Sequence, residues 1–295
     1  MNSRPIGMVL AAILLAFWWI AGTGAEAAEE GDKDFRVCTG KLNTPDACPV
    51  DPGHAEIEFA FGLDKVRREW DDDGKAHSRR PEHDRSLGLS VGMGLCENLD
   101  FCLGIPYLWL RDEGNDFDAD DLMGPETGRG LGDLDLSLRY RFYENEDRHL
   151  YLAYKAGLIA PIGHDADESE IGTSQESWSL NQALIATKSW GRWAVNADIG
   201  YSLPFGGKRG DGRGVLSADL ALGRQVFSWL QPEVELNYAH EFVGHESDAD
   251  VLAATVGFLL PVNERFQVNL GVQQGLWGRN AERATTYLAT IKLVF

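Results

Sequence analysis

Past residue 20 the chain has no long hydrophobic run; each apolar stretch is broken by glycine or a polar residue within a few positions. A spanning helix needs ~20 mostly apolar residues, so an α-helical membrane protein is excluded. Basic residues are scarce. The chain carries 27 Lys and Arg against 46 Asp and Glu, a net charge of −19. That balance argues against nucleic acid, whose phosphates demand positive surface, and against docking on anionic lipid through a basic patch. Cysteine is sparse too: there are 4, with no C-x-x-C pair, which removes the spacing a structural zinc site would use.

The chain begins with an export signal. Arg4 supplies a positive start, Ile6 to Ile20 an apolar region too short to span, and Ala25-Glu26-Ala27 an A-x-A cleavage site. Residues 1–27 therefore read as a signal peptide, with a mature chain from Ala28. In an exported chain the cysteines pair locally, Cys38 with Cys48 and Cys96 with Cys102, as expected disulfides. Residues 28–53, stapled by the first pair, form either a plug for the domain downstream of them or a periplasmic segment.

From residue 54 to 295 the pattern has period two. Tyr287, Ala289, Ile291, Leu293 and Phe295 share one face, and Phe266, Val268, Leu270 and Val272 repeat it. Leu134, Leu136 and Leu138 alternate with Asp133, Asp135 and Arg139, and Trp193, Val195 and Ala197 with Asn196 and Asp198. About twelve such strands of roughly ten residues succeed one another, the length a tilted strand needs to cross a bilayer. Two are less regular: Phe101–Arg111, which carries Pro106, and Ser177–Thr187, where a bulge is expected. Short turns alternate with longer polar segments, one of them covering 112–128. The reading is all-β: a transmembrane, antiparallel, up-and-down barrel of about twelve strands, with short turns and both ends on the periplasmic side.

Charge decides which face meets lipid. An Arg or Lys on the lipid face at mid-depth costs ~2–4 kcal/mol, so the apolar faces point outward and the charged faces line the interior. The candidate lumen lining is Glu56, Glu58, Asp133, Asp135, Asp198, Asp219, Glu233 and Glu235 with Arg139, Arg141, Lys155 and Lys292. These residues form internal salt bridges, a pore lining, or both. Aromatics at strand ends, Trp109, Tyr140, Trp193 and Trp229 among them, suit interface girdles.

The terminal strand closing on Phe295 resembles the signal that barrel-assembly machinery reads. A second stretch, Gly128-Arg129-Gly130-Leu131-Gly132-Asp133-Leu134 continuing into Asp135 to Phe142, resembles the hallmark of an outer-membrane transporter family named for the MetA pathway of phenol degradation. Pro106-Tyr107 before it and Pro161 after it fit the same pattern. The resemblance covers 54–295 and implies a barrel in the outer membrane of a Gram-negative bacterium, among outer-membrane lipid and lipopolysaccharide. It implies a porin-like passive channel for small molecules, hydrophobic or aromatic ones among them. Read structurally, the glycines let the chain turn into a strand and Asp133 bonds loop amides. A phosphate cradle would need a helix after it, and a strand stands there.

No catalytic, cofactor or metal residues are assigned. The alternative function is a lipid-modifying hydrolase, in which His240 is the residue to test, and a third is a surface-binding barrel without flux. His240-Glu241 with His245-Glu246 fixes no zinc geometry. Asp116, Asp118, Asp120 and Asp121 resemble a calcium loop but lack its glycine at position six and glutamate at position twelve.

Overall fold

The computed structural model describes residues 41–113, 126–166, 170–206, 212–243 and 248–295. The signal peptide, Cys38, the acidic run at 116–121, and His245 with Glu246 lie outside them.

The strands are β1 (Ala55–Trp70), β2 (Ala76–Cys96), β3 (Leu99–Asp112), β4 (Glu126–Leu131), β5 (Leu134–Asn145), β6 (Leu150–Ala160), β7 (Trp178–Trp190), β8 (Trp193–Phe205), β9 (Gly212–Arg224), β10 (Gln231–Val243), β11 (Ala249–Asn263), β12 (Phe266–Arg279) and β13 (Ala281–Val294). Each pairs antiparallel with its neighbours, β13 returns to β1, and β2 pairs with β3, so the sheet closes into a barrel. β4 and β5 are two parts of one stave: β3 pairs with β4 through Tyr107–Asp112 and with β5 through Leu99–Gly104. The barrel therefore has twelve staves. Closure pairs the strands around the ring, a condition hydrocarbon imposes because it offers no water to unpaired amides.

The apolar faces point outward. Val256, Phe258 and Leu236 are 54%, 49% and 45% exposed, whereas Glu235 and Thr255 are fully buried inside. This inverts a soluble barrel and agrees with the orientation that charge dictates. Phe227 and Trp229 stack 5.5 Å apart at the β9–β10 turn, and the Arg224 guanidinium lies over the Trp193 ring, forming part of the girdle at the short-turn end.

Three local expectations are corrected. Residues 126–128, read as the end of a long polar segment, and 129–131, read as a glycine-rich turn into the next strand, are strand β4. The bulge expected in 177–187 is absent: β7 keeps unbroken register with both neighbours. Its alternation is blurred for another reason. Gln182 faces outward and accepts from the Tyr154 hydroxyl at 2.8 Å, while Ile185 faces inward onto Ala47. The Cys96–Cys102 disulfide is also absent, since both are free thiols. Register places Cys102 opposite Gly92, four residues along β2 from Cys96, or about 13 Å at strand rise. A disulfide tolerates under ~7 Å between Cα atoms.

Candidate functional site

The described residues ahead of β1 run against the inner wall, in the half of the lumen nearer the short turns. The Glu235 carboxylate accepts the amides of Leu42 at 2.9 Å and Asn43 at 3.0 Å. Lys41 Nζ lies 3.1 Å from Glu233, with both side chains fully buried. A polar ladder continues across the wall. Asn43 Nδ2 donates to Thr255 Oγ1 at 2.9 Å, Thr255 to Asn237 at 2.9 Å, and Asn237 Nδ2 to Asp219 at 2.9 Å. The amide of Ala47 donates to Thr187 Oγ1 and that of Val50 to Asp100 Oδ2, both at 2.9 Å. Arg139 donates to the Asp46 carbonyl oxygen at 3.0 Å and pairs with the Asp46 and Asp100 carboxylates.

Apolar contact seats the same segment. Ala47 packs with Tyr151, Ala153 and Ile185, three inward residues of β6 and β7. The Leu42 side chain lies over Gly257 and Gly271; a Cβ at Gly257 would stand 2.7 Å from Leu42 Cδ1. Only a residue without a side chain leaves that room.

Beyond this segment, toward the long loops, is a cavity of about 580 Å³. Its lining mixes Glu58, Asp133 and Asp135 with Pro106, Leu108 and Ile159. The β6–β7 connection closes one side of it. Asp133, at the β4–β5 break, accepts the amides of Gly163 at 3.1 Å and Gln175 at 2.7 Å, and Thr173 Oγ1 donates to the Leu131 carbonyl oxygen at 2.7 Å. The loop-amide role read for Asp133 is thus the one it plays, and the glycine-rich stretch is where one stave bends to admit the loop.

The other proposed lining residues fall at distinct levels. Lys292 pairs with Glu56 at 2.8 Å near the strand ends and stands opposite Glu58. Asp198 stands opposite Asp219, and Lys155 opposite Arg139. Arg141 sits at the short-turn mouth, donating to Asn98 Oδ1 at 3.0 Å and pairing with Glu144. Asp135 and Asp198 each keep one buried carboxylate oxygen without a partner among the described residues. Such acceptors are ones that water or a solute hydroxyl can serve. Sequence reasoning missed Lys41, Asp46, Asp100 and Thr187. The available signal was apolar side chains at inward positions, Tyr151, Ala153 and Ile185, which lumenal water does not favour.

His240 shares the outward register of Val234 and Leu236 on β10 but is itself buried. Its Nδ1 lies 2.8 Å from Asp250, which also accepts from the Tyr238 hydroxyl and pairs with Arg279. The ring has an orienting acid, and among the described residues its neighbours along and across the strands are Tyr238, Phe242, Leu216 and Asp250, none a serine. Among the described residues no three His, Cys, Asp or Glu side chains group to hold a metal.

The chain is similar in fold to the COG4313 outer membrane channel from Pseudomonas putida F1, with TM-score 0.72 and 15% identity over 86% of this chain and 100% of that one. Weaker likenesses include the beta domain of the Bordetella autotransporter BrkA (TM-score 0.49, 11% identity, 82% and 99% covered). The TodX deltaS2S3 mutant monoaromatic hydrocarbon channel is similar at TM-score 0.43, with 9% identity and 83% and 90% covered. No curated protein matches the sequence significantly. The closed twelve-stave barrel with its outward apolar faces is a bacterial outer-membrane protein. Residues 89–293, most of the barrel, match the family described as "Putative MetA-pathway of phenol degradation", and the chain belongs to that family.

Proposed function

We propose that this barrel is a passive outer-membrane channel for small molecules, hydrophobic or aromatic ones among them, with residues 41–50 as its plug. One observation carries the reading: a cavity with mixed polar and apolar lining sits beyond a segment bonded across the lumen. A solute entering from the long-loop side has room to bind there, and onward passage requires the segment to shift. The family name, and the description of the Pseudomonas putida relative as a channel, support the same reading.

Export and assembly belong to the proposal. Residues 1–27 direct secretion and are removed, the β13 end at Phe295 engages barrel-assembly machinery, and outer-membrane lipid with lipopolysaccharide surrounds the wall. Cys38 and Cys48 staple the plug; Cys48 being disulfide-bonded while Cys96 and Cys102 are free supports that pairing. The protein is not an enzyme in this reading. The hydrolase alternative would rest on His240 and Asp250, which have no serine beside them among the described residues.

Liposome swelling with purified protein tests the function. Phenol-sized aromatics and small polar solutes are compared, using the full chain and a chain lacking 28–50. Flux is expected, larger in the truncated protein. Absence of flux for every solute in both proteins would rule out the channel. Lipase or deacylase activity lost in His240→Ala would favour the alternative.

A further inference from the structure

Net charge is a sum, and it conceals a local exception on the outer wall. Across three adjacent strands the lipid-facing residues change character at one level. Leu63, Tyr287 and Val272 are in register, and two positions further toward the long loops the register set is Lys65, Thr285 and Gln274. Ten residues separate Ala55 from Lys65, about 25 Å along the barrel axis for a strand tilted near 40°, which is the height of the apolar band. The change therefore marks the outer-leaflet boundary.

At that boundary is a cleft of about 450 Å³ lined by Lys65, Arg67, Arg68 and Arg283, with Gln274, Thr285 and Tyr287. No carboxylate lines it. Arg67 and Arg68 are exposed on a bulge of β1, where pairing shifts register against both neighbours. Lys65 is steered by the Tyr287 ring, 5.1 Å from its centroid, and Arg283 by the Trp70 ring and a 3.3 Å bond to the Gly275 carbonyl oxygen. None of the four forms an ion pair among the described residues, whereas nearby Arg79 meets Glu82, Asp112 and Glu282. Four unpaired cations in one cleft of a chain with net charge −19 call for an outside anion.

We propose that this cleft holds a phosphate of a phosphorylated glycolipid in the outer leaflet, of the lipid A type. The cleft opens on the lipid wall and not on the lumen, so the anion arrives attached to a membrane lipid. Arginine forks suit phosphate oxygens, and the apolar band below receives the acyl chains. The proposal requires only that the barrel is embedded, and it stands whether or not the lumen conducts.

The test uses the full mature chain folded in detergent, with EDTA present to remove bridging cations. Binding of bis-phosphorylated lipid A, the same lipid with both phosphates removed, and inorganic phosphate is read by native mass spectrometry. Wild type is expected to retain the bis-phosphorylated lipid at least tenfold more tightly than the dephosphorylated one. A Lys65→Gln/Arg67→Gln/Arg68→Gln/Arg283→Gln variant is expected to lose that preference. Heat-modifiable migration on gels confirms that the variant is folded. If it is not, Arg67→Gln/Arg68→Gln on the exposed bulge is expected to weaken binding at least threefold. Equal retention of both lipids, unchanged binding by a folded variant, or inorganic phosphate binding as tightly as the lipid would each overturn the proposal.

Discussion

Replacing Glu235 by Gln tests whether residues 41–50 block the lumen. The wild-type carboxylate is fully buried and accepts amides from Leu42 and Asn43 through both oxygens. A hydrogen bond to a charged group contributes about 1.5–3 kcal/mol. Glutamine keeps one acceptor and turns an N–H₂ donor toward amides that also donate. About 2 kcal/mol of docking free energy is lost, an approximately 30-fold shift from docked to released at 1.36 kcal/mol per decade. Single-channel recording in planar bilayers reads this as a rise in the open fraction, up to saturation. Hydrogen exchange at the Leu42 and Asn43 amides should accelerate in parallel. A chain lacking 28–50 should stay open throughout. If the truncated barrel conducts no more than wild type, the segment is not the barrier. If exchange accelerates while conductance stays fixed, docking and gating are separate.

The same geometry has other consequences. Leu270→Arg, on the lipid face, should destabilise the folded barrel by ~2–4 kcal/mol at mid-depth in urea titration from lipid vesicles; no loss would contradict the outward orientation. Arg139→Leu strands the Asp46 and Asp100 carboxylates, and breaking a buried pair in this way costs about 3–5 kcal/mol. Equilibrium unfolding should show that loss, and a variant as stable as wild type would mean the network is idle. In the β1–β2 turn, the Lys75 amide and the His77 ring hold Asp71 below its ordinary value of 3.8. A depressed carboxylate stabilises the folded turn above the unfolded pKa, and that contribution is lost as pH falls through the folded one. An Asp71 titration midpoint at or above 3.8 by NMR would refute the turn geometry. Thiol counting on the folded, unreduced protein should find Cys96 and Cys102 free; a mass deficit of two hydrogens across their peptides would restore the rejected disulfide.

The barrel was legible because one physical constraint writes itself along every strand. Hydrocarbon on one side and polar lumen on the other force period two, so Phe266–Val272 and Tyr287–Phe295 could be read without a partner in view. Asp133 was legible for its chemistry, an acid among glycines at a strand start, but not for its partners, because Gly163 and Gln175 lie 30 and 42 residues away. β4 was missed because Glu126–Leu131 has three polar or charged residues and two glycines in six, a composition that only the ladder with β3 makes a strand. The contacts of residues 41–50 were illegible for a third reason. Lys41, Asp46 and Val50 carry no periodicity, and their partners sit 50 to about 190 positions downstream.

Depth joins these observations. The short-turn end of the barrel is where Ala55 and Phe295 exchange backbone bonds at 3.1 and 2.9 Å, so chain entry fixes residues 41–50 near that end. From there residues 41–50 reach Asp100, Thr187 and Glu233, each within a few positions of a short turn. The cavity lies on the other side, walled by the loop that Asp133 bends inward. Among the described residues the lumen is thus occupied differently toward its two ends. Residues 41–50 and the β6–β7 loop each dock on a carboxylate of the inner wall, Glu235 for the segment and Asp133 for the loop. Backbone amides docked on carboxylates can exchange them for water with little net change in hydrogen bonding, whereas leucines interlocked in a dry core cannot. An acid-rich lumen therefore docks a segment and a loop through contacts that water can replace, which is what gating in the proposed channel would require.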